Sequence, residues 1–128
     1  MSDSPQAAGP AALARAAAEA VRSLNHATIG GEGLGQAADA CEVLGELSLA
    51  ASRLPQLLGQ VGRWLAAALA GGRLGCDDAT GPAAAVSGAR LFLSDARGSA
   101  AALARDLEQA QQQLALVNGE PSRKEARS

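Results

Sequence analysis

The chain has no tyrosine, one phenylalanine, one tryptophan, one isoleucine and five valines. β-Sheets rely on β-branched and aromatic side chains to fill a pleated surface, so there is almost nothing here to build one from. One histidine and two cysteines are too few for a zinc cluster or a disulfide framework. Cys41 lies in an apolar helical pattern and Cys76 in a polar stretch, which fits a reducing compartment. An excess of one charge is missing too. Eleven basic residues stand against thirteen acidic ones, with a net charge of −2, and the basic footprint that phosphate backbones require is absent. The longest strongly apolar run, Trp64 to Ala70, falls far short of the roughly 18–20 residues that span a bilayer. Met1-Ser2-Asp3-Ser4-Pro5 carries an acid and no basic leader. A cytoplasmic protein with no nucleic-acid or membrane partner is the expectation.

What the chain does have is alanine and leucine: 32 and 18 of its 128 residues. These lead the helix-propensity scale, and the fold class is expected to be all-α. Residues 1–9 read as a disordered tail. Pro10 suits the first position of a helix, where a missing N–H costs nothing, and that helix is expected to run to Thr28. Four glycines between Ile29 and Gly35 then break it. A second helix is expected from Gln36 to the cap at Gly71-Gly72, followed by a loop holding Cys76-Asp77-Asp78. Pro82 opens the last helix, which is expected to reach Val117 before Asn118-Gly119. Residues 119–128 are polar and charged and read as a second disordered tail, leaving 10–118 as a single domain.

In the second segment Ala37, Ala40, Leu44, Leu47, Ala51, Leu54, Leu58, Val61, Leu65 and Ala68 alternate spacings of three and four. Val86, Ala89, Leu93, Ala96, Ala100, Leu103, Leu107, Ala110, Leu114 and Val117 do the same in the last. Such spacing is the seam of coiled-coil-like packing. Two helices of this length, each about 50 Å long, predict an elongated antiparallel hairpin, with the short first helix packed on it through Leu13, Ala17, Ala20, Val21 and Leu24. Proline inside a helix costs about 3 kcal/mol, yet the seam does not change phase at Pro55. One continuous arm kinked at Pro55 is therefore expected, with a new helix capped by Ser52 as the alternative.

Beside the seam, Val43, Ala50, Leu57 and Trp64 widen the large apolar face of the second helix. Ala38, Cys41, Gly45, Ser48, Ser52, Pro55, Gly59, Gly62 and Ala66 form a face of small residues. Each glycine inside a helix costs about 1 kcal/mol against alanine, which points to a close neighbour on that side. The first helix is too short to cover it all. The small face is therefore read as the docking surface, with Gly45, Ser52, Gly59, Gly62, Trp64 and Ala66 as interface candidates and a second copy or another helical protein as partner.

No nucleophile elbow, P-loop or dinucleotide fingerprint appears, and no carboxylate cluster has Glu-x-x-His spacing. Neither an enzyme nor a cofactor is expected. Gln109, Gln111, Gln112 and Gln113 read as a solvated strip. His26 lies on the polar stripe of the first helix with Arg15, Glu19 and Arg22, near the C-terminal end where a charged imidazole is favoured.

Three resemblances follow from short strings. His26-Ala27-Thr28-Ile29-Gly30 resembles the histidine phosphotransfer pattern over about ten residues, with Gly30 in place and Ile29 where that family has a lysine. It implies an alternative function, a phosphotransfer or small-molecule-binding signalling module using His26. The strings Leu24-Asn25-His26-Ala27-Thr28 and Leu54-Pro55-Gln56-Leu57-Leu58, followed by Arg63-Trp64-Leu65, resemble a group of small Ala-rich helical proteins from actinobacteria. That likeness implies a shared fold and no particular chemistry. The hairpin is also similar to the small helical-hairpin proteins of type VII secretion. Those carry Trp-x-Gly at the turn, whereas Trp64 is followed by Leu65-Ala66 and the turn at Gly71 has no tryptophan.

Overall fold

The computed structural model describes residues 8–75 and 81–117. Residues 1–7 of the first expected tail, the tail at 119–128, and Cys76-Asp77-Asp78 lie outside the described residues. Three helices make up the fold: α1 (Pro10–Ala27), α2 (Ala37–Ala70) and α3 (Pro82–Leu114), with one 3-10 turn at Ile29–Gly31. The protein is all-α, and α2 and α3 pack as a long antiparallel hairpin.

The ends of the helices follow from local chemistry. Pro10 and Pro82 occupy first-turn positions. At the start of α2 the carboxylate of Asp39 accepts the amide of Gln36 at 3.1 Å, holding a donor that the helix cannot satisfy itself. At its end Gly72 adopts φ +70°, which lets the Arg73 amide reach back to the Ala68 carbonyl at 2.9 Å. That is the 6→1 bond of a Schellman cap. Helix α2 runs unbroken through Pro55. The proline removes the amide that would have bonded the Ala51 carbonyl, and the neighbouring Ser52 hydroxyl donates to the Leu49 carbonyl at 2.7 Å.

The register of the hairpin is fixed by a few pairings. The Cys41 thiol donates to the Gln111 carbonyl at 3.7 Å, and the Ser48 hydroxyl to the Ala104 carbonyl at 2.9 Å. Gly59 lies under Arg97, and Gly62 faces Leu93. Among the described residues the buried hydrophobic core is Ala51, Ala68, Val86 and Ala100. All four belong to the three-four seams, and the register brings fully buried Ala68 level with Val86.

Helix α2 meets α3 through the expected seam, of which Leu54 and Val61 alone are exposed, and also through part of the small face beside it. Its small residues turn inward: Gly59 and Gly62 are buried, and Cys41, Gly45, Ser48, Pro55 and Ala66 are half-buried. The small face is thus partly covered within the chain: Gly45, Ser48, Ser52 and Pro55 still line one groove, and Gly59 and Gly62 another. Interaxial distance depends on the side chains at the contact. Glycine, serine and alanine on both helices allow an approach close enough for Ser48 to reach a main-chain carbonyl of α3. In α3 the contact row is turned to match, with Ala104 and Gln111 inward and Ala89 and Ala110 exposed. Gln111 is therefore half-buried over Gly45, while Gln109, Gln112 and Gln113 remain solvated as expected.

The placement of α1 also differs from expectation. None of its residues is buried, and Leu13 is 52% exposed. It meets the hairpin at its C-terminal end, where half-buried Leu24 shares a cleft with Val43 and Leu47. Two physical causes are visible. The turn after α1 is set by Gly30, Gly31 and Gly33, all at positive φ, where other residues are strained. The α1 stripe is mostly alanine, so docking it along the hairpin would bury little apolar area.

Gly62 offers a direct check on this packing. A Cβ there would meet only Leu93 Cδ1, at 3.9 Å, an ordinary contact. Gly62→Ala is therefore expected to stabilise the protein by roughly 0.5–1 kcal/mol through helix propensity alone. Thermal unfolding should show a raised Tm. A lowered one would mean the helices pass closer at this point than described.

Candidate functional site

Several of the larger residues of α2 stay outside its contact with α3. Leu54, Leu57, Val61 and Trp64 are exposed, Trp64 by 55%. Each stands one residue before a residue turned toward α3: Pro55, Leu58, Gly62 and Leu65. On α3, Phe92 (73% exposed) and Leu103 stand one residue before Leu93 and Ala104. One residue is a turn of about 100°. In an antiparallel pair of right-handed helices, the same backward turn on both brings the two rows to the same side.

The opposite side is of different character. There Glu42, Glu46, Arg105 and Glu108 line one stretch of groove together with Leu49, itself exposed, and Arg63, Arg90 and Arg97 line another. Its charged residues mark this as the polar side of the hairpin, and the row of large side chains marks the other as the apolar side.

The row of large side chains runs along the hairpin. Because Leu93 faces Gly62, Phe92 lies level with Val61 and Trp64; because Ala104 faces Ser48, Leu103 lies toward Ala50 and Leu54. At the far end the row reaches a cleft where Leu47, Val43 and Leu24 of α1 stand beside Asp39, Glu42 and Glu46. From Val43 to Trp64 the face is about 30 Å long at 1.5 Å per residue. The Arg73 guanidinium stands 5.8 Å from the centroid of the Trp64 ring, a cation–π distance that holds the indole at the rim of the face. Soluble chains seldom leave large side chains exposed in one contiguous patch unless something docks there.

Of the residues read from the sequence as interface candidates, Trp64 lies on this apolar side. Gly59 and Gly62 are buried in the hairpin and Gly45 and Ala66 half-buried; Ser52 is exposed on the polar side. Sequence reading passed over Leu54, Leu57, Val61, Phe92 and Leu103 as docking residues. Leu54 and Val61 were legible as seam residues, and Leu57 as part of the large apolar stripe beside the seam. Phe92 sits off the last helix's seam beside Leu93, and no pattern singled it out.

His26 is exposed near the end of α1, in a shallow recess shared with Arg22, Ser23, Asn25 and Ile29. Arg22 is engaged with Glu19 at 3.3 Å. Among the described residues no group of three or more His, Cys, Asp or Glu could hold a metal ion, and no helix is long and apolar enough to cross a membrane. In comparisons with known proteins, no family model matches the chain, and no curated protein or solved structure is significantly similar to it.

Proposed function

We propose that this protein is a non-enzymatic assembly module that works by helix packing, and that the apolar side of the hairpin docks a second copy of the chain. The observation that supports the reading is the uncovered row of Leu54, Leu57, Val61 and Trp64 beside Phe92 and Leu103. A second copy is the natural occupant for two reasons. The face is equally apolar on every copy, so a two-fold pairing matches it to itself, the commonest arrangement in homo-oligomers. The intrachain core is also small: among the described residues three alanines and one valine are the buried hydrophobic ones. Apolar burial drives folding, and two hairpins packed face to face as four helices would bury the leucines, tryptophan and phenylalanine that one hairpin leaves in water.

The test is the solution mass by light scattering across a size-exclusion peak, at two concentrations. The expected mass is about 25 kDa, twice the 12.7 kDa chain, as in other two-fold dimers. A mass of one chain at both concentrations would overturn self-association and leave a different helical protein as the partner.

A further inference from the structure

On the polar side, midway toward the loop end, the hairpin holds a recess of about 350 Å³ lined by Arg63, Arg90 and Arg97 with Ser94, Leu58 and Leu93, and floored by Gly59 and Gly62. We propose that this recess is an anion-binding site for a diphosphate group. It lies across the hairpin from the apolar face and does not depend on the assembly reading.

The geometry brings together charges that would otherwise stay apart. Arg90 and Arg97 are seven residues apart on α3, two helical turns on one face, with Ser94 between them. Arg63 comes from α2. Gly59 is what lets them converge: with no side chain there, the Arg97 guanidinium lies across the backbone, its Cζ 3.3 Å from where a Cβ would stand. Nη1 of Arg63 and Nε of Arg97 are each 3.5 Å from that same point, so the two nitrogens are at most 7 Å apart. Like charges at this distance repel.

The chain has acids in excess, thirteen to eleven, yet among the described residues none pairs with these three. Among the described residues the one ion pair within 4 Å is Arg22 with Glu19. Asp95 and Asp106, the aspartates of α3, do not line the recess. Three guanidinium groups from two helices, with a serine hydroxyl beside them, form an uncompensated set of fork-shaped donors. Guanidinium forks match phosphoryl oxygens two at a time. Three of them call for a ligand of more than one negative charge, which a diphosphate has and a single carboxylate lacks. Its room is also larger than one phosphate needs.

Isothermal titration calorimetry of the full 128-residue chain with inorganic pyrophosphate, at low ionic strength, tests the proposal. One saturable site is expected. Arg97→Ala and Arg63→Ala should each weaken it at least tenfold, and Arg97→Lys should weaken it less than Arg97→Ala. Arg53→Ala, an exposed arginine outside the recess, should leave it unchanged. Adenosine diphosphate in a second titration distinguishes the sources of the group: tighter binding than pyrophosphate assigns a nucleotide, and equal or weaker binding assigns the free anion. Circular dichroism keeps the variants comparable, since all these side chains are exposed. An absence of saturable binding, or an equal loss in Arg53→Ala, would overturn the site.

Discussion

Val61→Glu is expected to convert a dimeric protein into a monomer while leaving its helix content unchanged. Val61 lies at the middle of the apolar face, level with Phe92 and beside Leu57 and Trp64, and is 41% exposed in the single chain. A glutamate there is solvated in the monomer and costs the hairpin little. In a packed interface the same carboxylate would lose its water without gaining a partner, and burying an unpaired charge costs several kcal/mol. Two-fold symmetry doubles the effect, because each interface contains the substitution twice. A loss of at least about 2.7 kcal/mol, a hundredfold in the dissociation constant, is expected. Sedimentation or light scattering across a dilution series reads it directly. Trp64→Ala should act in the same direction and more weakly, since it removes a large side chain of the kind that dominates interfaces without adding a charge. His26→Ala, on α1 and away from the row, should leave the mass unchanged. If Val61→Glu stays dimeric while a change on the polar side dissociates it, the docking surface has been assigned to the wrong side.

How much of this could be read in advance depended on the kind of information each feature needs. Helix ends were legible because their signals are local: Pro10 and Pro82 at first-turn positions, and Gly71-Gly72 as a cap. The antiparallel hairpin followed from two uninterrupted seams and a short connection, and the four buried hydrophobic residues, Ala51, Ala68, Val86 and Ala100, all lie on those seams. Periodicity locates stripes, however, and α2 has two adjacent ones. Both are apolar enough to be buried, so the sequence leaves open which of them α3 covers. That choice rests on a difference between close packing of small residues, with Ser48 bonded to a carbonyl of α3, and more distant packing of large ones. Dispersion gains of this sort are individually small and depend on backbone separation, which no one-dimensional pattern records. The course of α1 was hidden for a related reason. Gly30, Gly31 and Gly33 can each take either sign of φ, and the direction in which the chain leaves the turn is set by the signs they adopt.

Gly59 is where the two ways of packing α2 make opposite predictions. Had the small face been an external docking surface, Gly59→Leu would abolish association and leave the isolated chain as stable as before, or more so, since leucine is a far better helix former than glycine. With Gly59 buried on the side of α2 that faces α3, its Cβ position already 3.3 Å from Arg97 Cζ, a leucine must displace the arginine side chains that lie over it. The Arg97 side chain can swing away, so Gly59→Ala should be close to neutral: the propensity gain of about 1 kcal/mol offsets a small displacement. The branched end of leucine reaches further and must displace the Arg63 guanidinium as well, whose Nη1 is 3.5 Å from the same point. Overpacking of this kind costs about 1–3 kcal/mol, and the propensity gain recovers only part of it. In a helical domain of this size, 1 kcal/mol moves Tm by roughly 4–8 °C, so a net loss of about 1 kcal/mol, a fall of roughly 4–8 °C, is expected for Gly59→Leu. The melts are best run in the Val61→Glu background, because a dimer's Tm also depends on concentration. There the effect on the hairpin is read alone. A lowered Tm for Gly59→Leu beside a raised one for Gly62→Ala would place the small-residue face inside the chain, whereas an unchanged or raised Tm for Gly59→Leu would return it to the surface and reopen the choice of docking face.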